Sequence, residues 1–211
     1  MESTHNKYRS TGTPLQSAKH ALILIHGRGA DGAGMLSLAN YFDLPADTAV
    51  LAPQAESHSW YPQSFLAPVE ANQPALGQAL QVIKDLVADI VAAGIPNTEI
   101  YFLGFSQGAC LTLEYVGRHA TRYAGVIAFT GGLIGENLQI DNYKGDFDQT
   151  PILITTSNPD HHVPLKRVKE SGGQLESMNA SVTVVAYPGK SHSISDEEIE
   201  LAGKVVFNPP V

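Results

Sequence analysis

The chain of 211 residues contains a single cysteine, Cys110. An intramolecular disulfide is therefore excluded, and a chain of this length can be stabilised by its hydrophobic core without one. This cysteine usage is typical of a reducing compartment. The polar stretch 1–12 also lacks the apolar segment of a secretory signal. We therefore expect a cytoplasmic location.

Long apolar runs and positive charge are also scarce. The apolar run 21–25 is far too short to cross a bilayer, so no stable membrane insertion is expected. The 13 Lys and Arg residues against 21 Asp and Glu give a formal net charge of −8, which argues against a phosphate-tracking surface and a nucleic-acid partner. The basic residues at 166, 167 and 169 are expected on the solvated face of a helix.

The chain does contain short apolar runs that alternate with segments of helical periodicity. Strands are predicted at 21–25, 49–52, 100–103, 125–129, 151–155 and 182–187, and helices at 73–93, 109–119, 165–178 and 196–206. The third helix is expected to be interrupted at Gly172-Gly173, and Ser195 is the expected N-cap of the last. This alternation predicts one α/β domain over 1–211 with a mostly parallel sheet, preceded by an irregular segment at 1–17.

The most informative motif is Gly-Phe-Ser-Gln-Gly at 104–108, between a predicted strand and a predicted helix. A sharp strand-to-helix turn of this kind is a nucleophile elbow, in which flanking glycines allow close backbone approach and the central serine is exposed above the sheet. The alternative is an ordinary glycine-rich turn. The flanking elements favour Ser106 as a catalytic nucleophile.

A serine nucleophile needs a histidine base and an acid that orients it. When the triad runs in the order serine, acid, histidine, Asp160 follows the strand at 151–155 and His192 follows the strand at 182–187. Three other histidines, at 26, 161 and 162, occupy the wrong places in this order and are expected to be structural. No spaced ligand motif joins the histidines, so no metal is expected.

The glycine-rich loop at 26–34 follows the first predicted strand. It lacks the spacing of nucleotide-binding loops. We expect it to supply one backbone N–H of an oxyanion hole, from Arg28, with the second from Gln107 after the nucleophile. Cys110, one helical turn beyond Ser106, is expected to be an ordinary buried cysteine.

Four features of the chain resemble the carboxylesterase/phospholipase family of serine hydrolases, which includes the acyl-protein thioesterases. They are the His26-Gly27-x-Gly29 loop, the Trp60-Tyr61 pair, Gly94-Ile95-Pro96 ahead of the elbow, and the Asp160 to His192 ending. The resemblance implies an α/β-hydrolase fold without a large cap domain and ester hydrolysis without a cofactor. It assigns the triad and the oxyanion donors to the same residues as the chemical argument.

The sequence motifs indicate the type of reaction more closely than they indicate the substrate. We expect carboxylic esters of short-to-medium acyl chains, with acyl-protein thioesters or lysophospholipids as the alternative and a non-enzymatic ligand-binding protein as a remote one. Apolar residues near the predicted site are candidates to line the substrate pocket, namely Met35, Trp60, Tyr61, Phe65 and Leu66. A hydrophobic plug or a dimer contact is the alternative for these residues, and the chain is expected to be a monomer or a homodimer.

Overall fold

The computed structural model of the protein describes residues 8–208. These residues form one seven-stranded sheet in the order β1-β3-β2-β4-β5-β6-β7. The strands are β1 Tyr8–Gly12, β2 His20–Ile25, β3 Thr48–Pro53, β4 Ile100–Phe105, β5 Gly125–Phe129, β6 Pro151–Asn158 and β7 Ser181–Pro188. Only β1 runs antiparallel to its neighbour, so the sheet is mostly parallel, as the sequence predicts.

Helices cover both faces of the sheet. They are α1 Gly32–Leu36, α2 Ala75–Ala92, α3 Gln107–Arg118, α4 Leu165–Glu176 and α5 Asp196–Ala202, the last continuing into a π-helical turn, Gly203–Phe207. Helices α2, α3 and α4 pack in the larger core, whereas α1, α5 and the π-helical turn pack in the smaller one. Residues of β2 alternate between the two cores, which explains its uninterrupted apolar sequence. No cap domain lies over the sheet within residues 8–208.

The expectation of an irregular segment at 1–17 is wrong for Tyr8–Gly12, which pairs along β3 as an edge strand. Residues 1–7 lie outside the described part of the chain. The other four residues of β1 are exposed beyond the half-buried Tyr8, so the strand carries none of the hydrophobic signal by which the inner strands were predicted. Its pairing depends on β3, which lies some forty residues later.

Helix α4 is continuous through the two glycines at which an interruption was expected. At Gly172 an added Cβ would lie 2.8 Å from the side chain of Val184 on β7. The glycine therefore allows close helix–sheet packing instead of ending the helix. The predicted N-cap of α5 is confirmed, because the Ser195 side chain accepts from the Glu198 N–H while the Glu198 carboxylate accepts from the Ser195 N–H at 2.9 Å.

Candidate active site

Ser106 occupies the turn between β4 and α3 with φ +53° and ψ −117°, a strained backbone conformation for a residue with a side chain. The turn is tight on both sides. A Cβ at Gly104 would lie 2.4 Å from the Gly108 carbonyl oxygen, and a Cβ at Gly108 would lie 2.1 Å from the Ile25 carbonyl oxygen. The motif at 104–108 thus has the geometry expected of a nucleophile elbow.

Three side chains from different strand ends form a continuous hydrogen-bonded chain. The Oγ of Ser106 lies 2.8 Å from Nε2 of His192, and Nδ1 of His192 lies 2.9 Å from Oδ2 of Asp160. The structure therefore brings together the three residues that the sequence predicts as catalytic partners. Parallel strands end at the same edge of a sheet, which is why residues 106, 160 and 192 meet.

The Asp160 carboxylate is almost completely buried, with 2% of its side chain exposed. Its second oxygen accepts the backbone N–H groups of His162 and Val163 at 2.7 and 2.9 Å. Burial raises the pKa of Asp160, but the hydrogen bonds from His192 and from these two N–H groups outweigh it, so the pKa lies below its ordinary value. The group therefore faces His192 as a carboxylate at neutral pH.

The loop that carries His192 is held by an ion pair that the sequence analysis did not predict. Lys190 Nζ lies 3.1 Å from Glu198 Oε2 and also donates to the carbonyls of Ser191 and Ser193, on either side of His192. The Glu198 side chain is fully buried and 11% of the Lys190 side chain is exposed. The pair therefore links the imidazole loop to the N-terminus of α5.

Lys190→Met is expected to lower kcat for a small ester by about tenfold with KM little changed, because small displacements of a catalytic base have large effects on rate. Steady-state kinetics measures this, and Lys190→Arg should recover part of the loss. The matched control is Lys204→Met, which removes the exposed i,i+4 pair with Glu200 and should leave kcat unchanged. An unchanged kcat in Lys190→Met would show that the pair does not position His192.

Two backbone N–H groups, those of Gln107 and Arg28, have no backbone acceptor in residues 8–208. Gln107 is the first residue of α3, so its N–H has no acceptor within the helix. The N–H of Arg28, in the loop after β2, has no backbone acceptor in residues 8–208. Both are the donors that the sequence predicts for an oxyanion hole.

The side chains of Arg28 and Gln107 have a second role that no sequence motif indicates, because both hold the loop at residues 59–63. The Arg28 guanidinium donates four hydrogen bonds of 2.8–3.0 Å to oxygens of Ser59, Tyr61, Pro62 and Gln63. Gln107 accepts from the Trp60 N–H at 3.0 Å and donates to the Tyr61 carbonyl at 2.8 Å. The 59–63 loop thus fixes both ends of the predicted oxyanion hole.

His26 is buried and structural, as expected. Its Nε2 accepts the Ala55 N–H at 3.1 Å, which assigns the ring proton to Nδ1 and a donated bond to the Gly27 carbonyl at 2.7 Å. Burial lowers the pKa of His26, which keeps the ring neutral. The ring packs on Trp60, whose indole N–H donates to the His26 carbonyl at 2.9 Å.

A cavity of about 520 Å³ opens over Ser106. Tyr61, Phe65 and Leu66 line it, in agreement with the sequence prediction. Its walls comprise Gly27, Arg28, Ala30, Tyr61, Pro62, Gln63, Ser64, Phe65, Leu66, Phe105, Ser106, Gln107, Cys110, His161, His162, Val163 and His192. The exposed His161 and His162, which were expected to be structural, belong to this lining.

Two of the predicted pocket residues do not line the cavity. Met35 is buried in the smaller core, where α1 packs against the sheet. Trp60 is buried beside His26, and its N–H is satisfied there. Both predictions are wrong because apolar side chains near a site pack into the nearest core when the backbone directs them inward.

Cys110 also lines the cavity, yet burial raises the pKa of its thiol to about 12, outweighing hydrogen bonds with Gly132 and Tyr61. We expect Ellman's reagent at pH 8 to react with it about three orders of magnitude more slowly than with a free cysteine, because so little thiolate is present. Since Cys110 is the single cysteine, unfolding in guanidinium should release one equivalent of thiol rapidly. Fast reaction of the folded protein would contradict this expectation.

Among residues 8–208, no helix is both long and apolar enough to cross a bilayer. The same part of the chain contains no group of three or more His, Cys, Asp or Glu side chains arranged to hold a metal ion.

Residues 6–206 match the model of the phospholipase/carboxylesterase family. A crystal structure of a phospholipase/carboxylesterase from Dyadobacter fermentans is 54% identical, with a TM-score of 0.92, covering 96% of this chain and 97% of that chain. A probable carboxylesterase of Oryza sativa is 27% identical over 84% of this chain and 73% of its own length. Acyl-protein thioesterase 1 of Yarrowia lipolytica is 25% identical, covering 91% and 93%.

These similarities agree with the fold and with the resemblance seen in the sequence. The seven-stranded, mostly parallel sheet without a cap is an α/β-hydrolase fold. Relatives named carboxylesterases and thioesterases support a hydrolase that acts on ester bonds. The chain belongs to the phospholipase/carboxylesterase family.

Proposed function

We propose that the protein is a serine hydrolase that cleaves carboxylic esters of short-to-medium acyl chains. The observation that carries the proposal is the hydrogen-bonded chain from Ser106 through His192 to Asp160, with distances of 2.8 and 2.9 Å, at the base of an open cavity. Family membership supports the reaction class.

In the proposed reaction, the Ser106 oxygen attacks the ester carbonyl while Nε2 of His192 takes its proton. Asp160 holds the ring in the tautomer that leaves Nε2 free to accept and stabilises the imidazolium. The carbonyl oxygen becomes an oxyanion between the N–H groups of Arg28 and Gln107. His192 then protonates the departing alcohol, and water releases the acid by the same steps.

The cavity supports small substrates. Its volume of about 520 Å³ lies within the range of pockets that enclose small organic ligands, and apolar side chains from Phe65, Leu66 and Val163 form part of its wall. An acyl-protein thioesterase is the second candidate, favoured by the similarity to the Yarrowia protein over nearly its whole length. The two candidates use identical chemistry and differ in acyl length and leaving group.

The proposed enzyme is cytoplasmic and needs no cofactor. The single cysteine lies buried and free, which supports a cytoplasmic protein that depends on no disulfide. No cofactor is required by the proposed steps, and the chain acts as a monomer or a homodimer.

The test combines a fluorophosphonate probe, read by intact mass, with p-nitrophenyl esters of increasing acyl length. One label per chain is expected, lost in Ser106→Ala and retained in Ser64→Ala, since Ser64 lines the same cavity and has no histidine partner in the described structure. Highest kcat/KM on short-to-medium esters supports the carboxylesterase proposal. A maximum at palmitoyl length with thioester turnover supports the second candidate, and a folded protein that neither labels nor turns over contradicts both.

A further inference from the structure

The lining of the cavity is notable for its charge. Of the 211 residues 21 are acidic, and the formal net charge is −8. Nevertheless, none of the cavity-lining residues is an aspartate or a glutamate within the described chain. The lining instead holds Arg28, His161, His162 and His192. The side chains exposed in the cavity therefore include basic groups and no acidic one, although the protein as a whole is acidic.

The positive charge of Arg28 is not neutralised. Its guanidinium is held by three backbone carbonyls and one hydroxyl, all uncharged, and no carboxylate in residues 8–208 lies within ion-pair distance of it. Asp31, three residues on, caps α1 and lines a neighbouring depression with Glu56, outside the cavity. The N-terminus of α3 adds further positive potential beside Ser106.

The catalytic geometry indicates which part of a substrate meets the two other histidines. The carbonyl oxygen of the ester must face the Arg28 and Gln107 N–H groups, and the departing oxygen must lie at Nε2 of His192 to receive its proton. The ring of His162 is 5.4 Å from the ring of His192, and His161 is adjacent in the lining. The alcohol portion of a bound ester therefore lies beside His161 and His162.

We infer that the site prefers esters whose alcohol portion carries a negative charge, such as a carboxylate. This inference rests on the proposed function and names its substrate class. An imidazole can turn an N–H donor toward an anionic group, so His161 and His162 can each hydrogen-bond a carboxylate on the alcohol portion. The negative charge of Asp160 works against this binding, but both of its oxygens already accept hydrogen bonds, one from His192 and the other from the His162 and Val163 N–H groups.

The first test compares the acetyl esters of 1-propanol, 3-hydroxypropanoate and choline, which share an acetyl-oxyethyl unit and end in a neutral methyl group, an anionic carboxylate and a cationic trimethylammonium group, respectively. Each kcat/KM is divided by the rate of hydroxide-catalysed hydrolysis of the same ester. At low ionic strength the anionic ester should exceed the cationic one by about tenfold, as expected for a unit charge several ångströms away at the protein surface. The difference in normalised kcat/KM between the anionic and cationic esters should become smaller in about 0.5 M sodium chloride, because salt screens the interaction.

The second test introduces a carboxylate at the alcohol side. His161→Glu should lower the kcat/KM of the anionic ester relative to that of the neutral ester by about tenfold. The same variant should raise the kcat/KM of the cationic ester relative to that of the neutral ester. Gln78→Glu is the matched control, since Gln78 is exposed on α2 and outside the cavity lining, and it should leave both ratios unchanged. Turnover of propyl acetate without any preference for the anionic ester overturns the inference and leaves the proposed function intact. Absence of turnover of all three esters contradicts both.

Discussion

Ser106→Ala is expected to lower kcat for p-nitrophenyl acetate by about 10⁶-fold, which is the loss that serine hydrolases show when the nucleophile is removed. The oxygen that His192 contacts at 2.8 Å would be absent, so no acyl-enzyme could form. His192→Ala should cost a similar factor, because an unassisted serine hydroxyl is a poor nucleophile. The double variant should lose no more than either single variant, since the two groups act as one unit.

Steady-state kinetics with active-site titration measures these losses. Thermal unfolding should be little changed in Ser106→Ala, because the strained backbone at φ +53° is retained and only one hydroxyl is removed. Residual activity above about 1% of wild type in Ser106→Ala would contradict a serine mechanism. Additive losses in the double variant would show that the two residues do not act in the same step.

Asp160→Asn is expected to lower kcat by about 10⁴-fold, which is the second-largest loss predicted for this site. An asparagine that keeps its oxygen on the His162 and Val163 N–H groups must turn its NH₂ toward Nδ1 of His192. Nδ1 would then have to accept, which moves the ring proton to Nε2. In that tautomer the ring cannot accept the proton of Ser106, although the geometry is kept.

The matched control is Asp146→Asn. Asp146 also accepts a backbone N–H, from Asp148 at 2.7 Å, and its pKa is also below the ordinary value, but it lies in an exposed loop and does not line the cavity. We expect its kcat to equal that of wild type. An Asp160→Asn variant with near-normal kcat would show that Asp160 does not orient the base.

The effect of Asp160→Asn on the stability of the fold should also depend on pH. Because the pKa of Asp160 is lower in the folded protein than in an unfolded chain, ionised Asp160 stabilises the fold above its unfolded pKa of about 3.9. That contribution is lost as the pH falls through the lower, folded-state pKa. Urea midpoints of wild type and Asp160→Asn should therefore differ near neutral pH and converge only below about pH 4.

The inner strands and the three catalytic candidates were predictable because their signals are local. The inner strands are buried on both faces and are continuous apolar runs, and the half-buried edge strand β7 is largely apolar as well. All six predicted strands are present with ends within three residues of the predicted ones. The elbow is a short motif, and the positions of Asp160 and His192 follow from strand order. Their catalytic roles remain predictions that the kinetic experiments test.

Features that depend on contacts between distant segments were not predictable. The edge strand β1 has no hydrophobic pattern, and the close contact of Gly172 with Val184 cannot be read from either residue alone. Met35 and Trp60 were assigned to the pocket on hydrophobicity, which does not say toward which core a side chain points. The positions of His161 and His162 depend on how the loop after β6 turns over the site.

Periodicity and short motifs encode the parallel α/β sheet, the elbow at Ser106 and the order of the catalytic candidates, so these features can be predicted from the sequence. How these residues are held and what surrounds them depends on tertiary packing. Arg28 and Gln107 both hydrogen-bond the 59–63 loop, and Lys190 pairs with Glu198. The cavity lining, which contains no carboxylate in the described chain, is likewise built from segments that are far apart in the sequence. Such contacts depend on side-chain direction and loop path, which are settled only when the whole core packs.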